Sequence, residues 1–132
     1  MRKKIFFIVS LIVLGLASCK KEVVDPGYFA GIAAKGYYDM LLQGKYHEFV
    51  SGYNRPCRIP KGYEDQLLLN ARMFVEQQQV EHKGMSQVNI LNAKADTAHH
   101  VADVFLQVVY GDSVKEQIVV PMVEVKGKWK MR

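Results

Sequence analysis

The chain has 132 residues, with 18 Lys and Arg against 13 Asp and Glu, and a formal net charge of +5. This length favours one small domain with a modest hydrophobic core. Three of the excess positive charges, Arg2, Lys3 and Lys4, lie together at the amino terminus, and the chain from residue 19 onward has a net charge of only +2. So small an excess does not favour a nucleic-acid-binding protein, and we expect no nucleic-acid partner.

The first 18 residues have the layout of a secretory signal peptide. The basic start is followed by an apolar run from Ile5 to Leu16, which is shorter than the ~20 residues that a membrane-spanning helix needs. The run ends in the tetrapeptide Leu16-Ala17-Ser18-Cys19. This tetrapeptide resembles the lipobox of bacterial lipoproteins. An uncleaved amino-terminal anchor and a plain cleaved signal peptide are the alternatives.

The lipobox resemblance implies where the protein works. It implies removal of residues 1–18, lipidation of Cys19 and attachment to a membrane through the acyl chains, with residues 19–25 as a lipidated tether. Lys20 follows the cysteine, where an Asp would favour retention in the inner membrane. We therefore expect an outer-membrane lipoprotein of the bacterial cell envelope, facing the periplasm or the cell surface.

Cys57 is the second of the two cysteines. With Cys19 acylated, no disulfide within the chain is possible. Arg55 and Arg58 flank the thiol, and positive neighbours lower a thiol pKa. Because no nearby His or Cys completes a nucleophilic site, we expect an unreactive or partly buried thiol. An intermolecular bridge and a reactive thiol are the alternatives.

Three helices are predicted in the first half of the chain. Asp25 and Pro26 form a typical helix start, and apolar residues then recur at steps of three and four until Gly44. The second and third helices are predicted at residues 45–51 and 63–80. The third carries the apolar stripe Leu67, Ala71, Phe74, Val75 and Gln78.

After Gly84 the apolar residues recur every second position, which predicts strands at 87–94, 100–110 and 114–125. Pro121 is predicted to mark a bulge or a sheet edge. Gly127-Lys128 is predicted to turn the chain or to kink one continuous strand. The inward face of the second strand is predicted to hold His100, Ala102, Val104, Leu106, Val108 and Tyr110. Near the end, Val123, Val125, Trp129 and Met131 are predicted to share one face.

Helices followed by strands predict an α+β fold, with amino-terminal helices packed on a curved antiparallel sheet of three to four strands. The segments 34–39 (AKGYYD), 44–46 (GKY) and 123–131 (VEVKGKWKM) resemble the nuclear transport factor 2-like, or cystatin-like cone, superfamily. They are particularly similar to uncharacterised lipoproteins of the Bacteroidetes. The resemblance covers residues 26–132, which we expect to form the domain.

The resemblance implies a cone with a pocket. Its polar groups are expected from Tyr37, Tyr38, Tyr53, His100 and Tyr110. Enzymes of the superfamily place a carboxylate base and hydrogen-bond donors in the cone, but Asp103 falls on the opposite face of its strand from His100. We therefore expect a non-enzymatic module that binds a small ligand or an envelope protein, with no catalytic residue assigned. The rival hypothesis is an isomerase- or dehydratase-like enzyme that uses the polar groups of the cone.

No metal site and no cofactor are expected. His99 and His100 are adjacent in the chain and point to opposite faces, while His47 and His82 lie in other elements. No spacing of His, Cys or carboxylates matches a zinc or calcium signature.

Two surface features remain. The basic row Lys126, Lys128, Lys130 and Arg132 is a candidate site for an anionic lipid headgroup or an acidic glycan. We interpret it as the solvated face of an edge strand, where lysines discourage unwanted strand pairing. Phe105 and Val109 lie on the mixed face of the long strand, which makes a homodimer through the open sheet face a further possibility.

Overall fold

The computed structural model describes residues 25–56 and 58–132. The predicted signal peptide, Cys19, the tether up to residue 24, and Cys57 lie outside the described residues. The helices are α1 (Gly27–Leu42), α2 (Tyr46–Ser51) and α3 (Lys61–His82), and the strands are β1 (Met85–Asp96), β2 (Val101–Tyr110), β3 (Lys115–Val125) and β4 (Lys128–Met131). None of the helices in these two ranges is long and apolar enough to cross a membrane.

The four strands form one antiparallel sheet in the order β1-β2-β3-β4. The helices pack on one face of it, so the predicted α+β class is confirmed. Fully buried side chains from α1 and the three later strands form the centre of the core; they include Ala30, Ala34, Leu41, Val104, Leu106, Met122 and Met131. The opposite face of the sheet is open.

β2 shows the alternation that its sequence predicts. Every second residue from Ala102 to Tyr110 is buried and the others are exposed or partly exposed. His100 does not belong to this series, because it lies in the turn before the strand and has a φ of 54°. The prediction that His100 belongs to the inward face of this strand is therefore wrong, because β2 begins at Val101.

The ends of α1 follow their local sequence signals. The Asp25 carboxylate accepts a hydrogen bond of 2.9 Å from the Gly27 amide, so Asp25 satisfies one of the free amides of the first turn. Gly44, just after the helix, has a φ of 77°, a conformation that favours glycine. α3 is two residues longer at each end than the predicted 63–80.

The irregularities of the sheet lie in β1 rather than β3. Register shifts occur between Met85 and Gln87 and between Ile90 and Asn92. Pro121 pairs with Asp103 without a shift, so no bulge occurs there. Pro121 instead lies at the end of the β3–β4 pairing, where its carbonyl accepts a hydrogen bond of 3.0 Å from the Arg132 amide and its missing N–H leaves the reciprocal bond unformed.

β3 and β4 form a hairpin with a two-residue turn. Lys126 and Gly127 have φ angles of 51° and 78°, as a type I′ turn requires. The pairs are Met122–Met131, Val123–Lys130, Glu124–Trp129 and Val125–Lys128. Directly paired residues share a face, so the prediction that Val123 and Val125 lie on the same face as Trp129 and Met131 is wrong. The two-residue turn reverses the parity.

The free edge of β4 is joined by the chain that follows α2. Tyr53 forms a parallel bridge with Met131. The Met131 amide donates to the Gly52 carbonyl at 2.8 Å, and the Asn54 amide donates to the Met131 carbonyl at 2.7 Å. These bonds fix the start of the α2–α3 loop beside the β3–β4 hairpin.

Candidate functional site

The three helices enclose an apolar cavity of about 320 Å³, here called the helical cleft. Small-molecule sites occupy roughly 300–1,000 Å³, so this volume suits a small ligand. The lining residues are Tyr38, Leu41, Phe49, Val50, Tyr53, Leu67, Asn70, Ala71 and Phe74.

The cleft exists because α3 covers the core only in part. Leu67, Ala71 and Phe74 recur on one face of the helix at steps of four and three, and all three line the cleft. Of the residues of α3, only Ala71 and Gln78 are buried, and Phe74 keeps 42% of its surface exposed. An apolar helix face that is only partly covered leaves room for a ligand between the helices.

Two tyrosines bring polar groups into this apolar lining. Tyr38 and Tyr53 flank Phe49 edge-to-face, with ring centroids at 5.4 and 5.7 Å. Burial, and then the neighbouring Tyr53, raise the pKa of Tyr38 to about 12. Burial also raises the pKa of Tyr53. Both phenols are therefore neutral at physiological pH and can donate a hydrogen bond.

The hydroxyls of these two tyrosines differ from those of Tyr37 and Tyr110. Within the described residues, neither Tyr38 nor Tyr53 forms a hydrogen bond through its hydroxyl, whereas the other two each have a protein acceptor. Neither hydroxyl is one of the buried polar atoms without a partner, so each has a contact with solvent that an atom of a ligand can replace. The two free hydroxyls are thus the groups of the helical cleft best placed to recognise a polar atom of a ligand.

The other predicted pocket residues lie elsewhere. Tyr37 donates to the Trp129 carbonyl at 2.7 Å, and burial raises its pKa. Tyr110 donates to Glu116 Oε2 at 2.7 Å. Burial and that bond raise the pKa of Tyr110 to about 12, and its ring stacks on His82.

His100 is exposed at the rim of the sheet, with its Nδ1 3.2 Å from Glu124 Oε1. Asp103 is exposed on the open sheet face. The structure therefore separates the five residues predicted to line one pocket. It brings Tyr38 and Tyr53 together in the helical cleft.

A second, larger and more open cavity of about 760 Å³ lies beside the β3–β4 hairpin. Its lining contains five cationic side chains and one carboxylate, and we call it the cationic cleft. The α2–α3 loop contributes two arginines and the hairpin three lysines; the charged lining residues are Arg55, Arg58, Lys126, Lys128, Lys130 and Glu64.

The cations of this cleft have few protein partners. Lys130 Nζ donates to the Ser51 carbonyl at 3.2 Å, and the Glu64 carboxylate lies 3.5 Å from His47 Nε2. In residues 25–56 and 58–132, no carboxylate lies within ion-pair distance of the five cations. Arg55 Nη1 is buried and has no hydrogen-bond partner among these residues.

The histidines pair with carboxylates rather than with one another. His82 Nδ1 lies 2.8 Å from Asp112 Oδ2 and His99 Nδ1 lies 2.7 Å from Asp96 Oδ2. These hydrogen bonds lower the pKa values of Asp112 and Asp96. Across the described ranges, no three His, Cys, Asp or Glu side chains are grouped so as to hold a metal ion.

The sequence reasoning missed the contribution of α3 and of the two arginines. The spacing of Leu67, Ala71 and Phe74 identified the apolar stripe of α3, but the same spacing is typical of an ordinary core helix. In the sequence, Arg55 and Arg58 stand out only as neighbours of Cys57. Their position beside the lysines depends on the bridge between Tyr53 and Met131, which has no local sequence signal.

No protein-family model matches the sequence, and no curated protein is significantly similar to it. Among solved structures, the chain is similar to the crystal structure of a proposed NTF2-like transpeptidase from Campylobacter jejuni, with a TM-score of 0.61 and 13% sequence identity. The similarity covers 74% of this chain and 92% of that chain. At so low an identity the likeness concerns the fold, not the activity. The helices on their open antiparallel sheet therefore have an NTF2-like fold.

Proposed function

We propose that the chain is a membrane-anchored envelope lipoprotein whose NTF2-like domain binds a small ligand in the helical cleft without transforming it. One observation carries the proposal. The cleft is apolar, and the hydroxyls of Tyr38 and Tyr53, which have no protein acceptor among the described residues, are hydrogen-bond donors in its lining and have raised pKa values.

These features favour a ligand with an apolar body and one hydrogen-bond acceptor. Such a body covers the apolar walls, which is the main source of affinity in small-molecule sites. A carbonyl or ether oxygen accepts from the phenols, and the Asn70 amide offers a further polar contact. The described lining of the helical cleft holds no carboxylate, imidazole or thiol. Those residues supply no general base or activated nucleophile, which favours binding over acyl transfer or isomerisation.

Ligand binding can be tested with benzophenone, an aromatic ketone that crosslinks to protein under light. We expect it to label peptides of α2 and α3 when added to membranes that contain the full chain. Ala71→Trp fills the cleft and should reduce this labelling several-fold. Phe74→Trp, at a half-exposed position, reduces the volume with less risk to folding and should act in the same direction.

The matched control is Tyr63→Phe, which removes an exposed hydroxyl outside the cleft and should change nothing. Tyr38→Phe and Tyr53→Phe should each weaken labelling by several-fold, since a hydrogen bond contributes about 1 kcal/mol. If both cleft-filling variants are labelled as strongly as the parent chain, ligand binding at this site is overturned.

Membrane anchoring rests on the lipobox resemblance and has its own test. Cells that express the chain are fed an alkyne-tagged fatty acid, and the protein is examined for the tag. We expect incorporation in the parent chain and none after Cys19→Ser, whereas Cys57→Ser should leave incorporation unchanged. Incorporation that survives Cys19→Ser, or a parent chain that takes up no tag, would contradict the proposal.

A further inference from the structure

The helical cleft and the cationic cleft are neighbours. Tyr53 lines both of them. At the end of α2, Val50 lines the helical cleft and the next residue, Ser51, lines the cationic cleft. On α3, Glu64 lines the cationic cleft, and Leu67, less than one helical turn later, lines the helical cleft. One molecule of modest length can therefore contact both.

The two clefts are chemically opposite. The helical cleft is lined by aromatic and aliphatic side chains, whereas the cationic cleft places five cationic groups around an open volume with one carboxylate. An edge strand protected by lysines would only need those lysines to project into solvent. Two arginines from a separate loop, Arg55 and Arg58, are not part of such protection. Their presence indicates a site that selects an anion.

Arg55 is a partly exposed cation in the lining of the cationic cleft. Its Nη1 is buried and has no partner among the described residues, so this nitrogen faces the protein, while the side chain as a whole still lines the cleft. The guanidinium also suits a carboxylate or phosphate, because its parallel N–H groups can bind two oxygens at once.

We infer that the ligand of this protein is an anionic amphiphile, with its acidic headgroup in the cationic cleft and its apolar chain in the helical cleft. The inference rests on the proposed binding in the helical cleft and adds the chemical class of the ligand. Carboxylate and phosphate headgroups share the required chemistry. Tyr53 lies between the two ends of the ligand, where its hydroxyl can donate to a headgroup oxygen.

The test uses three photoactivatable probes with the same ten-carbon chain, namely a decanoate, a decyl phosphate and a neutral decanol. Each is added to membranes that contain the full chain, and the labelled peptides are identified by mass spectrometry. We expect at least one acidic probe to label α2 and α3 about tenfold more strongly than the alcohol. The preferred acid distinguishes a carboxylate ligand from a phosphate ligand.

Substitutions in the cationic cleft test whether it causes the preference for acidic probes. Arg55→Gln with Arg58→Gln should reduce labelling by the acidic probes about tenfold and leave labelling by the alcohol unchanged. Lys128→Gln should act in the same direction more weakly. The control is Lys115→Gln, which removes one positive charge at a position outside both clefts and should have no effect. Partition of each probe into the membrane is the same for all variants.

The outcomes separate the two proposals. The inference is overturned if acid and alcohol label equally, or if the arginine substitutions do not change labelling by the acids. Either result is still compatible with ligand binding in the helical cleft. Absence of labelling on α2 and α3 with every probe overturns both proposals. This result is expected if a segment of the chain itself fills the clefts.

Discussion

The phenol of Tyr37 in α1 donates a hydrogen bond of 2.7 Å to the backbone carbonyl of Trp129 in β4, 92 positions later in the chain. The bond connects the first helix to the last strand of the described chain. It therefore fixes the helices against the sheet edge at which the two clefts meet.

Loss of this bond should destabilise the domain. Tyr37→Phe keeps the ring and removes the donor, so the Trp129 carbonyl loses its side-chain partner. We expect the free energy of unfolding to fall by about 1 kcal/mol, measured by urea unfolding. Tyr28→Phe, at an exposed residue, should change it by less than about 0.5 kcal/mol. Equal effects of the two substitutions would show that the bond contributes nothing.

Because Gly52 has no side chain, it leaves space for the ring of Tyr37. A Cβ at this position would lie 2.6 Å from Tyr37 Cε1, so Gly52→Ala should destabilise the domain by about 1–3 kcal/mol. Gly36 is the matched control, because a Cβ there meets nothing within 4 Å. Gly36→Ala lies within α1 and should stabilise it by about 0.5–1 kcal/mol. Thermal unfolding of the two variants should shift in opposite directions.

Alkaline pH should weaken the fold through Tyr38. Its pKa is raised from 10.0 to about 12, so below pH 10 the phenol is protonated in both the folded and the unfolded state. Between pH 10 and 12 the unfolded chain loses this proton and the folded chain keeps it. The stability contributed by the protonated phenol is therefore lost as pH rises through that interval. Tyr38→Phe should flatten the decline in melting temperature above pH 10, and an unchanged slope would contradict the assignment.

Substitution of Lys126 should increase the stability of the domain and weaken anion binding. Its φ of 51° lies in the left-handed region, which Asn tolerates better than Lys. Lys126→Asn should raise the free energy of unfolding by about 0.5–1 kcal/mol and also reduce labelling by the acidic probes. Lys83 has a similar φ of 61° but lines neither cleft. Lys83→Asn should raise stability and leave labelling unchanged.

The homodimer through the open sheet face stays a prediction. Val119 is 50% exposed and pairs with Phe105, so the two form an apolar patch on that face. For a dimer whose two-fold axis passes through this patch, Val119→Cys in a Cys57→Ser background should give a disulfide-linked dimer on mild oxidation in membranes, because a residue near the axis faces the same residue of the other copy. Glu76→Cys, on a helix, should remain monomeric. Crosslinking at both positions, or at neither, would contradict a sheet-face dimer centred on this patch.

The regular parts of the fold were predictable because they depend on local periodicity. The alternation from Ala102 to Tyr110 and the start of α1 at Asp25 follow from neighbouring residues alone. The bulge between Ile90 and Asn92 could not be predicted in this way, because Leu91 suits either face of a strand. The register of β4 could not be predicted either, since Gly127 is compatible with a turn and with a kink.

The candidate site was predictable only in part for a similar reason. Tyr38 and Tyr53 are two of the five pocket residues that the superfamily resemblance implies, and the sequence does not distinguish them from the other three. Tyr110 could not be removed from the candidates by sequence, because its acceptor Glu116 comes from the next strand. The sequence offers the lysines of the cationic cleft as a candidate anion site but not its arginines, since only the folded chain brings Arg55 beside Lys128.

The two-residue turn of Lys126 and Gly127 decides which side chains of β4 meet solvent. One inserted residue in this turn would exchange the faces of the strand and move Trp129 and Met131 outward. The lysines would then point at the helices. A row of alternating lysines in a related sequence therefore indicates an anion site only if the length of the preceding turn is also the same. Turn length, rather than the count of basic residues, is the character to compare among homologues.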